Sequence, residues 1–334
     1  MSRLSHYREQ VLDLGYDFIK SRALQTAFEL DIFERLGTQS KTALTLAEEM
    51  KTNPESLELF LNALASLGFI EVNGRGFQNT KYGSEIFLKD KPLYIGDYIR
   101  LHGRSFGDWA KLGEVVQTGK PIGRPDFFKI ENPEVTAGFA RAMRDTAMGH
   151  AEYLAKKLSL KRANTLLDLG GGPGTFTIHF LKEHPHLKAT IFDLPATLET
   201  TRKFVSEAGL ADRVAFQAGD FNQDQIQGTF DVCFLSHIIH GQTVESNKNL
   251  FSNIFAHLNM GGKLIVQDFF LNSDKHSPQF AALFALVMLL HTSGGRTYAF
   301  EEVREWMRTA GLRSMNRLEL KLPRSISLLV GEKN

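Results

Sequence analysis

Apolar positions recur every three or four residues from Val11 to Leu36, which predicts one helix that stops at Gly37. A short helical piece covers Thr45–Met50. Asn53-Pro54 then supplies an N-cap and a first-turn proline, so another helix runs through LELFLNALASL to Gly68. Phe69–Val72 and Gly76–Asn79 flank the turn dipeptide Asn73-Gly74 and read as a hairpin. Three helices followed by a two-stranded wing are the order of a winged helix. Residues 92–160 read as further helices joined by a Gly/Pro-rich loop, TGKPIGRPD, with Val135–Leu158 as one long helical pattern.

The pattern changes at Asn164. Short apolar runs (TLLDLG, ATIFDL, RVAFQAGD, FDVCFLSHII, KLIVQDFF) alternate with helical segments such as TFTIHFLKEH and SNKNLFSNIFAHL. That alternation predicts an α/β fold: a mostly parallel, Rossmann-like sheet covered by helices on both faces. After a helix over Phe300–Ala310, Ser314–Lys321 and Ser325–Gly331 read as an antiparallel pair at the sheet's edge. The expected organisation is a winged-helix module at 1–92, linker helices at 93–160 and the α/β domain at 161–334.

Composition narrows the function classes. The 334 residues carry 39 Lys+Arg against 38 Asp+Glu, too even a balance for a general polyanion binder. Residues 1–100 hold 12 Lys+Arg and 14 Asp+Glu, and the helix Glu55–Leu67 has two glutamates but no Lys or Arg. A DNA-reading winged helix would need phosphate contacts there. No nucleic-acid partner is therefore expected, and a ligand-sensing DNA-binding regulator is the weakest of the functional readings; a packing or dimerisation module fits better. The single cysteine, Cys233, excludes an intrachain disulfide and a thiolate metal cage, and its apolar setting, FDVCFLS, marks a buried hydrophobe. The N-terminus lacks the apolar core of a signal peptide, and the greasiest run, Phe280–Leu290, is about half of a membrane span. The sequence reads as soluble and cytoplasmic. The 26 phenylalanines call for apolar surface beyond an ordinary core, at an interface or in a greasy pocket.

The strongest chemical signal is LLDLGGGPGTF. Asp168 ends a strand, and Gly170, Gly171, Gly172 and Gly174 form a tight turn into a helix, glycine being needed where backbone approaches a ligand or takes positive φ. A glycine turn alone also fits NAD. Three acids separate the cases. A carboxylate at Asp168 would repel a pyrophosphate but suits a ligand with a cationic amino-acid end. Asp193, in IFDLP, ends the next strand, where it can accept both hydroxyls of a ribose. Asp220, in QAGDF, ends the third, where it can accept from an adenine amine while Phe221 stacks on the ring. This is the layout for S-adenosyl-L-methionine.

On these motifs the chain resembles the class I S-adenosylmethionine-dependent methyltransferases of the acetylserotonin/caffeate O-methyltransferase type. The resemblance extends through FARAMRDTA, SHIIH, GGKLIVQDF and HTSGGRTY in the family's order. It implies an N-terminal dimerisation domain, hence a homodimer, and a small-molecule acceptor; bacterial members act on polyketide, carotenoid and bacteriochlorophyll precursors. It also implies that Gly170 lines the cofactor loop and that Leu194 lies beside the ribose. Asp220 and Phe221 would frame the adenine, and Ser236 would be a polar cofactor contact. Phe139, Met143 and His291 would line the substrate pocket. His240 occupies the family's catalytic-base position, and Asp268 that of the carboxylate orienting it. Methyl transfer from a sulfonium is an in-line displacement that requires positioning and a base for the acceptor's proton, with no metal. No metal-ligand spacing stands out among the histidines; His184 and His186 read as exposed, and His237 as structural.

Two positions depart from the family pattern. His240 is followed by Gly241-Gln242 where the family has Asp-Trp, and Thr297 stands where it has a second carboxylate. These departures keep open C-methylation, or a non-methylating activity on the same cofactor, as alternatives to O-methylation.

Overall fold

The Ser2 hydroxyl accepts the Ser5 N–H and so starts helix α1, Arg3–Glu29. In this computed structural model, which describes residues 2–122, 132–318 and 320–334, the chain divides into two units, Met1–Phe106 and Gly107–Asn334. The helix expected over Val11–Leu36 is two helices. Asp31 takes a left-handed conformation (φ 54°) between α1 and α2 (Ile32–Leu36), and its carboxylate accepts from Arg100 Nη2 at 2.6 Å. Asp tolerates this conformation better than most residues, and the ion pair holds it there.

Helices α3 (Ala43–Met50) and α4 (Pro54–Ser66) follow, α4 capped by Asn53 Oδ1 on the Ser56 N–H at 2.8 Å. The hairpin β1 (Ile70–Asn73) and β2 (Gly76–Asn79) pairs Asn73 with Gly76, so its loop is Gly74-Arg75, one position beyond the expected turn. Helices α5 (Lys81–Ile86) and α6 (Gly96–Arg104) complete this unit. Its core is phenylalanine-rich: Phe33 lies 4.9 Å from Phe28 and 4.3 Å from Phe87, ring centre to ring centre.

The second unit begins with α7 (Leu112–Thr118), α8 (Pro133–Met148) and α9 (Ala151–Lys157). The expected continuous helix over Val135–Leu158 breaks at Gly149-His150, where His150 leaves helical geometry (φ −145°). Residues 123–131, which include the end of the Gly/Pro-rich loop, and Glu319 in the expected edge strand lie outside the described residues.

Strand and helix then alternate. β3 (Thr165–Leu169), α10 (Thr175–Glu183), β4 (Lys188–Asp193), α11 (Pro195–Glu207) and β5 (Val214–Ala218) form one half. β6 (Phe230–Ser236), α12 (Val244–His257), β7 (Leu258–Asp268), α13 (Gln279–His291), α14 (Phe300–Thr309), β8 (Arg313–Leu318) and β9 (Ser327–Glu332) form the other. The sheet order is β5-β4-β3-β6-β7-β9-β8, parallel through β7, with β9 antiparallel to both β7 and β8.

Strand side chains alternate between the two faces. Leu166, Ile191, Val232, Phe234 and Ile265 join the layer of α9–α11, whereas Leu167, Cys233, Leu235, Leu264 and Val266 join that of α12 and α14. Cys233 is buried, and burial pushes its thiol up. His184, expected to be exposed, is buried with Nε2 at 3.3 Å from the Leu158 carbonyl; His186 is exposed.

Strand order reverses about β3 and β6, and their carboxyl ends lie side by side, Leu169 opposite Leu235. A doubly wound sheet opens its ligand crevice at such a reversal. No helix among the described residues is long and apolar enough to cross a membrane.

Candidate active site

Gly170 follows β3 with φ 68°, and a Cβ there would stand 2.4 Å from Ile238 Cδ1, in the loop after β6. Glycine is therefore required for both conformation and approach. Gly172 (φ 53°) has nothing within 4 Å of its Cβ position, so the loop's crest is open. Gly174 (φ 70°) starts α10 in a left-handed conformation. Asp193 ties this loop to the tip of β4: Oδ2 accepts the Gly172 N–H at 2.8 Å and Oδ1 the Leu194 N–H at 2.7 Å. Burial pushes its pKa up, while these backbone bonds and Thr197 oppose the rise.

Asp168 is turned inward. It is 2% exposed and accepts from Thr177 Oγ1 at 2.6 Å, and burial pushes its pKa up to about 7. Its carboxylate thus braces the underside of the loop against α10, rather than standing open to the cationic end of a ligand. Asp220 lies two residues beyond β5, its carboxylate accepting from the Asn222 N–H and Gln223 Nε2, both at 3.0 Å. The Phe221 ring reaches to 3.5 Å from the Gly170 Cβ position, so ring and glycine turn bound the same crevice.

The positive-φ turn, open crest and acidic strand tip fit an adenosyl ligand with vicinal hydroxyls. In S-adenosylmethionine, Gly170, Gly172, Asp193 and Phe221 would hold that part.

β6 and β7 bring the second group together. Asp268 ends β7, 2% exposed, and its Oδ1 accepts from His240 Nδ1 at 2.7 Å and from the Phe269 N–H at 2.7 Å. Burial raises the Asp268 pKa, but the His240 contact, His237 and the Phe269 N–H outweigh it, and the group sits below the usual carboxylate value. With Nδ1–H committed to Asp268, the His240 lone pair lies on Nε2. His240 sits on a single turn after β6, held by Asn247 Nδ2 on the Ile239 carbonyl at 3.0 Å.

Phenylalanines surround this imidazole. Phe284 meets it edge-on at 4.9 Å, Phe269 stacks at 6.1 Å, and Phe280 lies 4.9 Å from Phe269. Phe280 and Phe284 belong to the apolar helix FAALFALVMLL, whose sequence suggests burial against the pocket or a second subunit and a lining suited to a flat or greasy acceptor; Phe269 had no such signal beyond its place directly after Asp268.

The remaining expected residues are more dispersed. Ser236 Oγ accepts from buried Gln267 Nε2 at 3.0 Å, at the tip of β6. Phe139 and Met143 lie one turn apart on α8, both half-buried. His291 ends α13, buried, with Nδ1 4.0 Å from Asp108 Oδ2. Thr297 is buried with its hydroxyl unpartnered, so it supplies no negative charge where the family pattern has an acid.

His237, read as structural, adopts φ 56°, and its Nδ1 lies 3.9 Å from Asp268 Oδ1. His237, His240 and Asp268 place three potential metal-ligand atoms within 4.8 Å of one another. Sequence spacing could not reveal this set, because its third member comes from the neighbouring strand.

Residues 12–90 match the model of an O-methyltransferase dimerisation domain, and residues 109–313 that of an O-methyltransferase domain. The chain is 31% identical over 323 residues to the tetracenomycin polyketide synthesis 8-O-methyl transferase of Streptomyces glaucescens, covering 95% of each protein. It is 27% identical to the 3-hydroxy-5-methyl-1-naphthoate 3-O-methyltransferase of Streptomyces sahachiroi, covering 96% of this chain and 94% of that protein. Human N-acetylserotonin methyltransferase, solved in complex with S-adenosylmethionine, shares the fold with a TM-score of 0.89 at 22% identity, covering 100% of this chain and 98% of that one. The chain belongs to the S-adenosylmethionine-dependent O-methyltransferase family.

Proposed function

We propose that the protein methylates a phenolic or enolic hydroxyl on a flat, apolar aromatic acceptor of the polyketide or naphthoate kind, with His240 as base. One observation carries this reading: a buried His240–Asp268 pair lies against Phe269 and Phe284, which Phe280 extends into an aromatic wall. By their names, the two Streptomyces relatives are an 8-O-methyltransferase of tetracenomycin polyketide synthesis and a 3-O-methyltransferase of 3-hydroxy-5-methyl-1-naphthoate.

The cofactor, when bound, supplies a methyl group already activated on a sulfonium. The protein's own work is placement and proton transfer. Asp193, the glycine loop and Phe221 hold the adenosyl part, with Ser236, Leu194 and Asp220 at its rim. Asp168 acts one step back, fixing the loop through Thr177. The phenylalanine wall excludes water and stacks on the acceptor ring. His240 Nε2 takes the hydroxyl proton, and Asp268 holds the tautomer and stabilises the imidazolium. Phe139, Met143 and His291 complete the acceptor's surroundings.

The test uses methyl-labelled cofactor with a panel of hydroxynaphthoates, hydroxyanthraquinones and simple aliphatic alcohols. We expect label on an aromatic hydroxyl as an ether; label on carbon, or on the aliphatic alcohols alone, would contradict the reading.

We further propose that the active species is a homodimer. Tyr7, Val11, Leu14 and Phe18 form a stripe along α1 at i, i+4, i+7 and i+11, yet each is 51–70% exposed in the single chain. A second copy meeting this helix would cover it, in keeping with the dimerisation-domain match. Leu14→Glu with Phe18→Glu should convert the protein to monomer in sedimentation velocity. A wild-type chain that sediments as a monomer would refute the assembly.

A further inference from the structure

Three buried polar atoms without a partner converge at the tips of β6 and β7: His237 Nδ1, Asp268 Oδ2 and Gln267 Oε1. Native interiors leave few such atoms, and each calls for an explanation. The first two belong to the set in which His237, His240 and Asp268 hold their ligand atoms within 4.8 Å. The third lies directly behind it. Gln267 Nε2 sits 3.3 Å from His237 Nε2, and rotation of that amide would point Oε1 at the imidazole instead. A carbonyl oxygen behind Nε2 is the usual support for a histidine that ligates through Nδ1.

We infer that His237, His240 and Asp268 form a binding site for a borderline divalent cation of the Zn²⁺ class, and that its occupancy switches the enzyme off. Two imidazoles and one carboxylate suit Zn²⁺, Co²⁺ or Ni²⁺, whereas Mg²⁺ prefers an all-oxygen shell. The cation lies between His237 Nδ1, His240 Nδ1 and the Asp268 carboxylate, replacing the proton that His240 now shares with Asp268.

The proton balance closes within the site. On each ring the Nδ1 proton is replaced by metal and Nε2 becomes protonated, so the imidazoles stay neutral and no net proton is released. On His237 the new Nε2–H meets the rotated Gln267 carbonyl. On His240 it occupies the nitrogen that would receive the acceptor's proton. The inhibitory half of the inference therefore rests on the reading of His240 as base, whereas the metal site does not. The His237 side chain is 25% exposed, which gives the cation a way in.

Local geometry favours ligation by His237. Its left-handed backbone (φ 56°), unusual for histidine, is held by its own N–H on the Gln267 carbonyl at 2.9 Å, and this swings the ring over the Asp268 carboxylate.

The full-length protein, freed of metal by chelation, is titrated with Co²⁺ and Zn²⁺, with Mg²⁺ as control. We expect one Zn²⁺ per chain to be lost in His237→Phe relative to wild type by equilibrium dialysis. The same substitution should abolish the intense visible absorption of a low-coordinate Co²⁺ site. Melting curves and affinity for S-adenosylhomocysteine verify that the variant folds, and Asp268→Asn should lose the same metal.

With saturating Zn²⁺, wild-type turnover should fall by at least about tenfold, the low end of general-base effects, and chelator should restore it. Equal Zn²⁺ stoichiometry in wild type and His237→Phe, or an unaltered Co²⁺ spectrum, overturns the site. Metal bound at the site with undiminished turnover would leave the site standing and remove His240 as base.

Discussion

Replacing His240 with alanine is expected to lower kcat by about 10²–10⁴-fold while leaving affinity for S-adenosylhomocysteine within about twofold of wild type. The split follows from the architecture. His240 stands on the turn after β6 and contacts Asp268 and phenylalanines, whereas the groups proposed to bind the adenosyl part lie at or just beyond the ends of β3, β4 and β5. Asp268→Asn should also lower kcat, by as much as about 10⁴-fold, because the amide offers no charge to the imidazolium and can hold the ring in the wrong tautomer. A histidine that only lined the pocket would raise KM and leave kcat alone. Steady-state kinetics on both variants, with calorimetry for the cofactor product, distinguish these cases.

Asp193→Ala should weaken S-adenosylmethionine binding by about 10²–10⁴-fold. Two hydrogen bonds to a charged carboxylate contribute about 1.5–3 kcal/mol each, and both ribose hydroxyls lose their acceptor together. A second effect acts in the same direction. The carboxylate also joins the N–H groups of Gly172 and Leu194, so its removal loosens the glycine loop before any ligand arrives. Asp193→Asn separates the two contributions, since its single carbonyl oxygen preserves part of the loop contact without the charge. Calorimetric titration reads affinity, and melting temperature without ligand reads the loop's share. Alanine and wild-type proteins with equal affinity would show that the ribose is held elsewhere.

Both experiments depend on positions legible along the chain. The β–α alternation after Asn164 was visible because buried parallel strands read as short apolar runs and the covering helices as periodic ones. The acids at 168, 193 and 220 were equally visible, since strand ends in such a sheet face the ligand crevice. Less legible were the breaks at Asp31 and Gly149-His150. Apolar periodicity continues across both, and only the Arg100 ion pair at the first reveals what holds the chain out of the helix.

The direction in which a carboxylate points was also beyond the reach of sequence. Asp168 lies opposite Ile191 in the β3–β4 register, two residues short of Asp193, so the two acids do not stand at the same level of the neighbouring strand tips. Thr177, nine residues ahead on α10, draws the first inward, whereas backbone N–H groups from two loops hold the second at the crevice.

The linear order of apolar and polar residues determined the layers, the strand tips and the identity of the His240–Asp268 pair, because these follow from periodicity and from chemistry local to each strand end. Only the folded chain decided that Phe269, Phe280 and Phe284 enclose that pair, and that His237 and Gln267 leave unpartnered atoms beside it. Such groupings arise where β6, β7 and α13 converge, and the register that sets their distances is fixed by packing between segments remote in sequence.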